Sequence, residues 1–322
     1  MFASRFTRRA LAALVLTFSP VAALHAAEPI RLVVGFAPGG GVDTLARVTA
    51  QALSKELDRT VIVENKSGAG GTISADYVSK SQADGNTLLF ADTSLLVAPY
   101  IYPALRYDLQ RDFAPIGMVG QSDLALAVPG DSPVKNVAEL VEAIRKSPPQ
   151  TETFASVGVG SVHHLGGELF ALKTQTELVH VPYRGGAPAS QALAAGEVSM
   201  SFASLASSIG LAKSGRIRLL ATLSERRFPG MPELPSVSET IAGYSVTPSL
   251  FMLAPQNVDP AFIATVSKAL ENSMQQQQVQ DAFLAQGSVA GYQDAQATEH
   301  WLGEETQRWA KVIESAQLDF KQ

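Results

Sequence analysis

Apolar residues fall into two kinds of run along the chain. Residues 30–36, 60–64, 87–91 and 124–128 form short, nearly continuous apolar blocks, as strands buried on both faces do. Between them the period changes. After Asp43, Leu45, Val48, Ala52 and Leu53 recur at helical spacing, and Asp92-Thr93-Ser94 forms a helix-capping cluster. A second set follows: an amphipathic helix at 137–145, a strand ending at Phe154-Ala155-Ser156, a helix at 162–172, a strand at 178–181, a helix at 187–195, and strands at 198–202 and 217–223. Residues 228–235 are proline-rich and read as a surface loop, and 250–254 as another strand. The remainder reads as helix, 261–280 behind Pro260 and then 297–316. This alternation predicts parallel sheets covered by helices. No linker separates two halves, so the last helices are expected to return to the first unit.

Composition narrows the classes. The chain has 322 residues, 46% hydrophobic and 17% charged, with 25 glycines and no cysteine. It is too apolar for disorder and long enough for about two domains. Without cysteine there is no disulfide, thiolate metal site, thiol catalysis or lipidated N-terminal cysteine. A net charge of −5 with no basic run argues against nucleic acid as a partner.

The first 27 residues pattern as a secretory signal peptide: Arg5, Arg8 and Arg9, an apolar stretch at 10–18, Pro20, then small residues to Ala27. Thr7-Arg8-Arg9 leaves general secretory and twin-arginine export both open. Removing those three arginines leaves 22 basic against 30 acidic residues, a charge near −8. The mature chain is expected to be soluble and periplasmic.

Candidate chemistry gathers where strands end. Gly35-Phe36-Ala37-Pro38-Gly39-Gly40-Gly41, Asp92-Thr93-Ser94 and the run from Ala155 to Ser161 each follow a strand, and Lys66-Ser67-Gly68-Ala69-Gly70-Gly71 precedes another helix. Ligands of open α/β sheets lie beyond the strands' carboxyl ends. Glycines there let a ligand approach the backbone, and the following helix offers free N–H groups to an anion. No Gly-Lys-Ser/Thr follows Gly41, so this is not a phosphate loop. The dinucleotide fingerprint fails at Thr44. There is no Gly-x-Ser-x-Gly elbow and no His-Glu-x-x-His. Adjacent His163 and His164 diverge by about 100° on a helix and cannot chelate one metal well. His164 and Glu168 share a face, which suits a hydrogen bond or helix contact. His180 and His300 stand isolated, and Trp301 and Trp309 suit packing. No cofactor or metal is expected.

Longer motifs carry a resemblance. IRLVVGFAPGGGVDTLA at 30–46 and VIVENKSGAGGTISAD at 61–76 resemble the solute-binding receptors of tripartite tricarboxylate transporters, the Bug family. So do Asp84-Gly85, Tyr107-Asp108 through Pro115, Ser156-x-Gly158-x-Gly160-Ser161, the stretch from His164 to Phe170, His180-Val181-Pro182-Tyr183 and Leu253-Ala254-Pro255. Their order and spacing agree over essentially the whole mature chain.

The resemblance implies an α/β, two-lobed periplasmic binding protein of type II-like form, each lobe a sheet flanked by helices, with crossing strands as hinge near Leu126 and Tyr244. Lobe 1 would comprise 28–126 and 245–322, and lobe 2 residues 127–244. A small organic carboxylate would sit between closing lobes and pass to the large and small membrane subunits of a tripartite permease. The receptor would act as a monomer and carry out no chemistry. Other readings are a sensor for a membrane histidine kinase and a secreted hydrolase or isomerase acting on an organic acid. Carried over residue by residue, the first-lobe contacts are Phe36, Ala37, Pro38, Gly39, Gly40, Gly41, Thr93 and Ser94. Those of the second lobe are Ser156, Gly158, Gly160, Ser161, His164 and Tyr183, with Ala203 and Ser204. The family often has an aspartate where this chain has Ala203, so the pocket is expected to be uncharged and the ligand not an amino acid. Arg184 stands where lysine is common, and a surface position is expected for it.

Overall fold

Two sheets organise the chain, and the computed structural model describes residues 28–102 and 104–315 of it. The expected signal peptide, residues 1–27, lies outside the described residues, as does the end of the last predicted helix at Ala316.

The first sheet starts with β1 (Ile30–Val34), followed by α1 (Gly41–Glu56), β2 (Val61–Asn65), α2 (Thr72–Ser79), β3 (Thr87–Asp92), α3 (Ser94–Ile101) and β4 (Phe113–Ser122). Strands β2, β1 and β3 are parallel neighbours, with Val34 level with Asn65 on one side and Phe90 on the other. Every residue of β3 is buried, which accounts for its continuous apolar run.

The chain then enters the second sheet through β5 (Leu124–Pro129), α4 (Val137–Lys146), β6 (Thr153–Ser156), α5 (Val162–Thr174), β7 (Val179–Pro182), α6 (Gly186–Ala194), β8 (Met200–Ser204), α7 (Leu205–Lys213) and β9 (Ile217–Thr222). Their spatial order is β7-β6-β8-β5-β9. It returns as β10 (Ser249–Pro255), α8 (Pro260–Met274), α9 (Gln277–Ala285), β11 (Ser288–Gln293) and α10 (Ala295–Ser315). The first sheet is completed as β11-β4-β10-β3-β1-β2.

The sheets are therefore mixed, not parallel as the alternation predicts. Outgoing β4 and returning β10 lie side by side and must run in opposite directions, and β5 is antiparallel to both β8 and β9. The chain leaves the first sheet at Asp123 and re-enters it at Ser249. Leu126 itself lies inside β5, and Tyr244 is fully buried in the second sheet's core beside Phe170.

Helices α8 and α9 pack on the first sheet through Val266, Leu270, Val279 and Phe283. The long helix expected at 261–280 breaks at Gln275 and Gln276 into these two. Helix α10 bridges both cores. Leu302 joins the cluster around Phe251, whereas Trp309 and Ile313 join that of the second sheet. The helix lies along β4 and α3 of the first sheet, and its last turns reach the second core.

Candidate functional site

A cleft of about 720 Å³ opens between the sheets. Its walls are the loop after β1, the Ser67–Gly70 segment, Asp92 and Ser94 after β3, the loop after β6 and the Arg184–Pro188 turn after β7. Ser122, Asp123 and Leu124 at the outgoing crossing and Pro248 and Leu250 at the returning one also line it. These are carboxyl ends of strands, where open α/β sheets hold ligands.

The first wall is fixed by Asp43, buried in the first turn of α1. Its Oδ2 accepts from the Gly39 N–H at 2.8 Å and from Arg47 Nε at 3.0 Å. Its Oδ1 accepts from Arg47 Nη2 at 3.0 Å and from Asn65 Nδ2 at 2.7 Å. Asn65 also donates to the Phe36 carbonyl, so one carboxylate ties β2 to the glycine loop. Burial pushes the Asp43 carboxyl up, but the bonds from Arg47, Asn65 and Gly39 outweigh it and hold it below its ordinary value. The Gly39 N–H is thereby spent, and that of Gly40 donates to Ala37 at 3.2 Å. The wall's open donors are the first-turn amides of α1 from Gly41 onward, which have no partner inside the helix.

Asp92 lines the same wall. Its Oδ1 accepts from the Ser94 N–H at 2.9 Å, and burial pushes its carboxyl up to about 6 against that bond. Thr93 turns away, its Oγ1 accepting from the Ser249 N–H at 2.8 Å and locking β3 to β10.

The second wall rests on stacked rings. His164 lies on His180 with centroids 3.7 Å apart, and His180 lies on Phe154 at 4.9 Å. His180 Nε2 meets Ser156 Oγ at 2.6 Å, and Ser156 Oγ in turn accepts from the Gly158 N–H at 3.1 Å. His164 Nδ1 accepts from the Gly160 N–H at 3.1 Å, which places its ring proton on Nε2, 3.3 Å from Glu168 Oε1. Ser161 caps α5, its Oγ accepting from the His164 N–H. Burial and then His164 push His180 down to about 3, and burial pushes His163 down to about 4. The amides of Gly158 and Gly160 are thus spent on support, and the open donors are those of Val162 and His163. Gly160 is required on two counts. Its φ is +72°, and a Cβ would stand 1.9 Å from Ile101 Cδ1 of the opposite lobe.

The structure brings Phe36, Ala37, Pro38, Gly39, Gly40, Gly41, Ser94, Gly158, Gly160, Ser161 and Ser204 onto the cleft surface. It places Thr93, Ser156, His164, Tyr183 and Ala203 off it. Thr93 bonds between strands, and Ser156 and His164 support the second loop from behind. Tyr183 packs against the cluster around Leu193, and Ala203 is buried opposite Ala125 in the sheet. His180, expected to stand alone, is the centre of the ring stack. Arg184, expected as a surface charge, lines the cleft, as do Gly185 and Gly186. A glycine pair after a strand was the available signal for that turn. The expected uncharged pocket is overturned, because Asp92 and Asp123 both face it. Nothing local in the sequence marks Asp123, Gln286 or Ser288: Asp123 lies at the outgoing crossing, and Gln286 and Ser288 come from the turn into β11, where Ser288 pairs with Ser122.

Two α/β lobes joined by two crossings, with the cleft at their strand ends, define a two-lobed ligand-binding protein of the periplasmic type. The chain belongs to the tripartite tricarboxylate transporter receptor family, whose model matches residues 45–318. Protein BugT of Bordetella pertussis is 34% identical over 301 residues, covering 92% of this chain and 91% of its own. Among solved structures, Rpa4515 of R. palustris with adipate superposes with a TM-score of 0.84 at 29% identity, covering 90% of this chain and 98% of that one. MatC from Rhodopseudomonas palustris with bound malate superposes with a TM-score of 0.78 at 25% identity, covering 88% and 98%.

Proposed function

We propose that the protein is an exported periplasmic receptor that binds a small organic carboxylate in the cleft and delivers it to a tripartite tricarboxylate-type permease of the inner membrane. The observation that carries this reading is the pairing of two helix starts, α1 and α5, one on each lining wall, each with open first-turn amides. The carboxylate is held by backbone dipoles from both lobes, so binding favours the state in which the lobes are together, and the permease reads that state. The adipate and malate in the two related structures support the ligand class.

The test is thermal shift against a library of organic acids, with product analysis alongside. A subset of acids should raise the melting temperature without being consumed. A Cβ at Gly41 meets nothing within 4 Å, so Gly41→Trp should fold and melt like the parent while filling the cleft mouth. It should lose at least roughly tenfold in affinity, about 1.4 kcal/mol. Unchanged binding in this variant, or turnover of any acid, overturns the reading.

A further inference from the structure

Three aspartates are buried among the described residues, and two of them are spent. Asp43 is saturated by Gly39, Arg47 and Asn65, and Asp92 caps Ser94. Asp123 differs. It is 5% exposed, it lines the cleft, and its Oδ1 has no hydrogen-bond partner among the described residues. The neighbouring Ser224 hydroxyl draws the Asp123 carboxyl down as a hydrogen-bonding group, but its proton is directed to the Arg226 carbonyl at 2.7 Å, which leaves Oδ1 without a donor. The backbone of Asp123 is held from both sides. Its N–H donates to Gly287 of the first lobe and its carbonyl accepts from Leu205 of the second, each at 2.9 Å. These bonds fix the backbone from which the carboxyl projects, and a buried oxygen without a donor is a cost the fold carries until something supplies one.

We infer that Asp123 sets the ligand's second contact: the cleft selects an organic acid that carries, besides the carboxylate held by the helix starts, an O–H or N–H donor for Asp123, and discriminates against a second carboxylate. This rests on the carboxylate-receptor reading above. A second carboxylate would meet like charge in a desolvated place, whereas a hydroxyl or ammonium meets a fixed acceptor. Arg184 on the rim and Asp92 are the other charged side chains of the lining. The family's aspartate is missing at Ala203, but β8 pairs Ser204 with Leu124, so Asp123 enters the cleft from the adjoining strand end.

Calorimetry on the full mature protein with length-matched acids tests this: γ-hydroxybutyrate, γ-aminobutyrate, butyrate and succinate, then ε-hydroxycaproate, ε-aminocaproate, caproate and adipate. The parent should prefer the donor-bearing member of a series over its dicarboxylate by roughly tenfold or more. Asp123→Asn keeps the shape but offers an amide donor, and should reverse that order. Asp123→Ala should flatten it. A purely structural Asp123 would change the melting temperature and leave the ratio alone. An unchanged ratio in both variants, or a parent that binds dicarboxylates equally well, overturns the inference and leaves the receptor reading standing. Failure of every acid to bind folded parent and variants overturns both.

Discussion

The two walls of the cleft solve one problem with different chemistry. On the first, a buried charge organises the loop: Asp43 collects donors from Gly39, Arg47 and Asn65 and joins α1, β2 and the glycine turn. On the second, uncharged contact does the work: His164 and His180 stack, Phe154 lies beneath, and ring nitrogens and Ser156 take up the loop amides. In both, the glycine N–H groups nearest the ligand space are consumed by the protein itself. What remains open is the first turn of the helix that follows. The difference teaches that a loop bordering the cleft can be held rigid either by a saturated carboxylate or by stacked rings, and in both cases the supporting groups stand behind the cleft surface.

Breaking the first wall should cost most. Asp43→Ala strips partners from the Gly39 amide, Asn65 and Arg47 at once. Arg47 is half exposed and rehydrates, so the loss is that of the buried bonds, about 2–3 kcal/mol in urea unfolding. Carboxylate affinity should fall as well, because Phe36 to Gly41 lose their anchor to Asn65. A stable variant with parental affinity would show that the loop holds itself.

Acid should act on the buried aspartates and the buried histidines around the cleft in opposite senses. Burial raises Asp92 and Asp123 to about 6, above the ordinary value near 3.9, so the folded protein takes up their protons first. Their contribution to stability rises as pH falls from about 6 toward 4. His163 and His180 are lowered to about 4 and about 3, so the unfolded chain protonates first, near 6.5, and stability is lost as pH falls below that. Each group contributes roughly 1 kcal/mol between pH 6.5 and 5. Removing Asp92 and Asp123 together as asparagines should steepen the loss over this window by about 2 kcal/mol. The double variant His163→Gln with His180→Phe should convert it to a gain. Equal slopes in all three proteins would contradict the opposed burial of the two kinds of group.

Much of this arrangement is legible in the sequence. The apolar blocks and the periodicity switches locate β1, β2, β3, α1 and α5, because each of these is buried in a regular way. Strand β4 was not legible: Pro115, Gly117 and Gly120 interrupt its alternation, and Gly120 is there because a Cβ would stand 2.4 Å from the Val289 carbonyl of β11. Strand β11 is half exposed at the sheet edge and carries no clear period. At the site, glycine turns after strands pointed to both walls. Which amides are free, and which residues stand behind the wall, depended on contacts between distant segments such as His164 with His180 and Gly39 with Asp43. Asp123 shows the limit most sharply, since its meaning comes from lying at a crossing and no neighbour in sequence marks that.

The smallest effect is expected from the centre of the ring stack. His180 is half-buried, so a larger ring has room at its edge, and His180→Phe keeps the planar contact with His164 and Phe154. It loses the bond to Ser156, whose hydroxyl still donates to the Gly158 carbonyl and still accepts from the Gly158 N–H. One hydrogen bond of this kind is worth about 1 kcal/mol, and that is the expected drop in unfolding free energy at pH 7.5. Carboxylate affinity should stay within about twofold, because His180 supports the loop and does not line the cleft. A folded His180→Phe protein with tenfold weaker binding would mean that the ring pair acts on the ligand through the wall. The second wall would then depend on a polar residue as the first depends on Asp43, and the contrast between the two would fail.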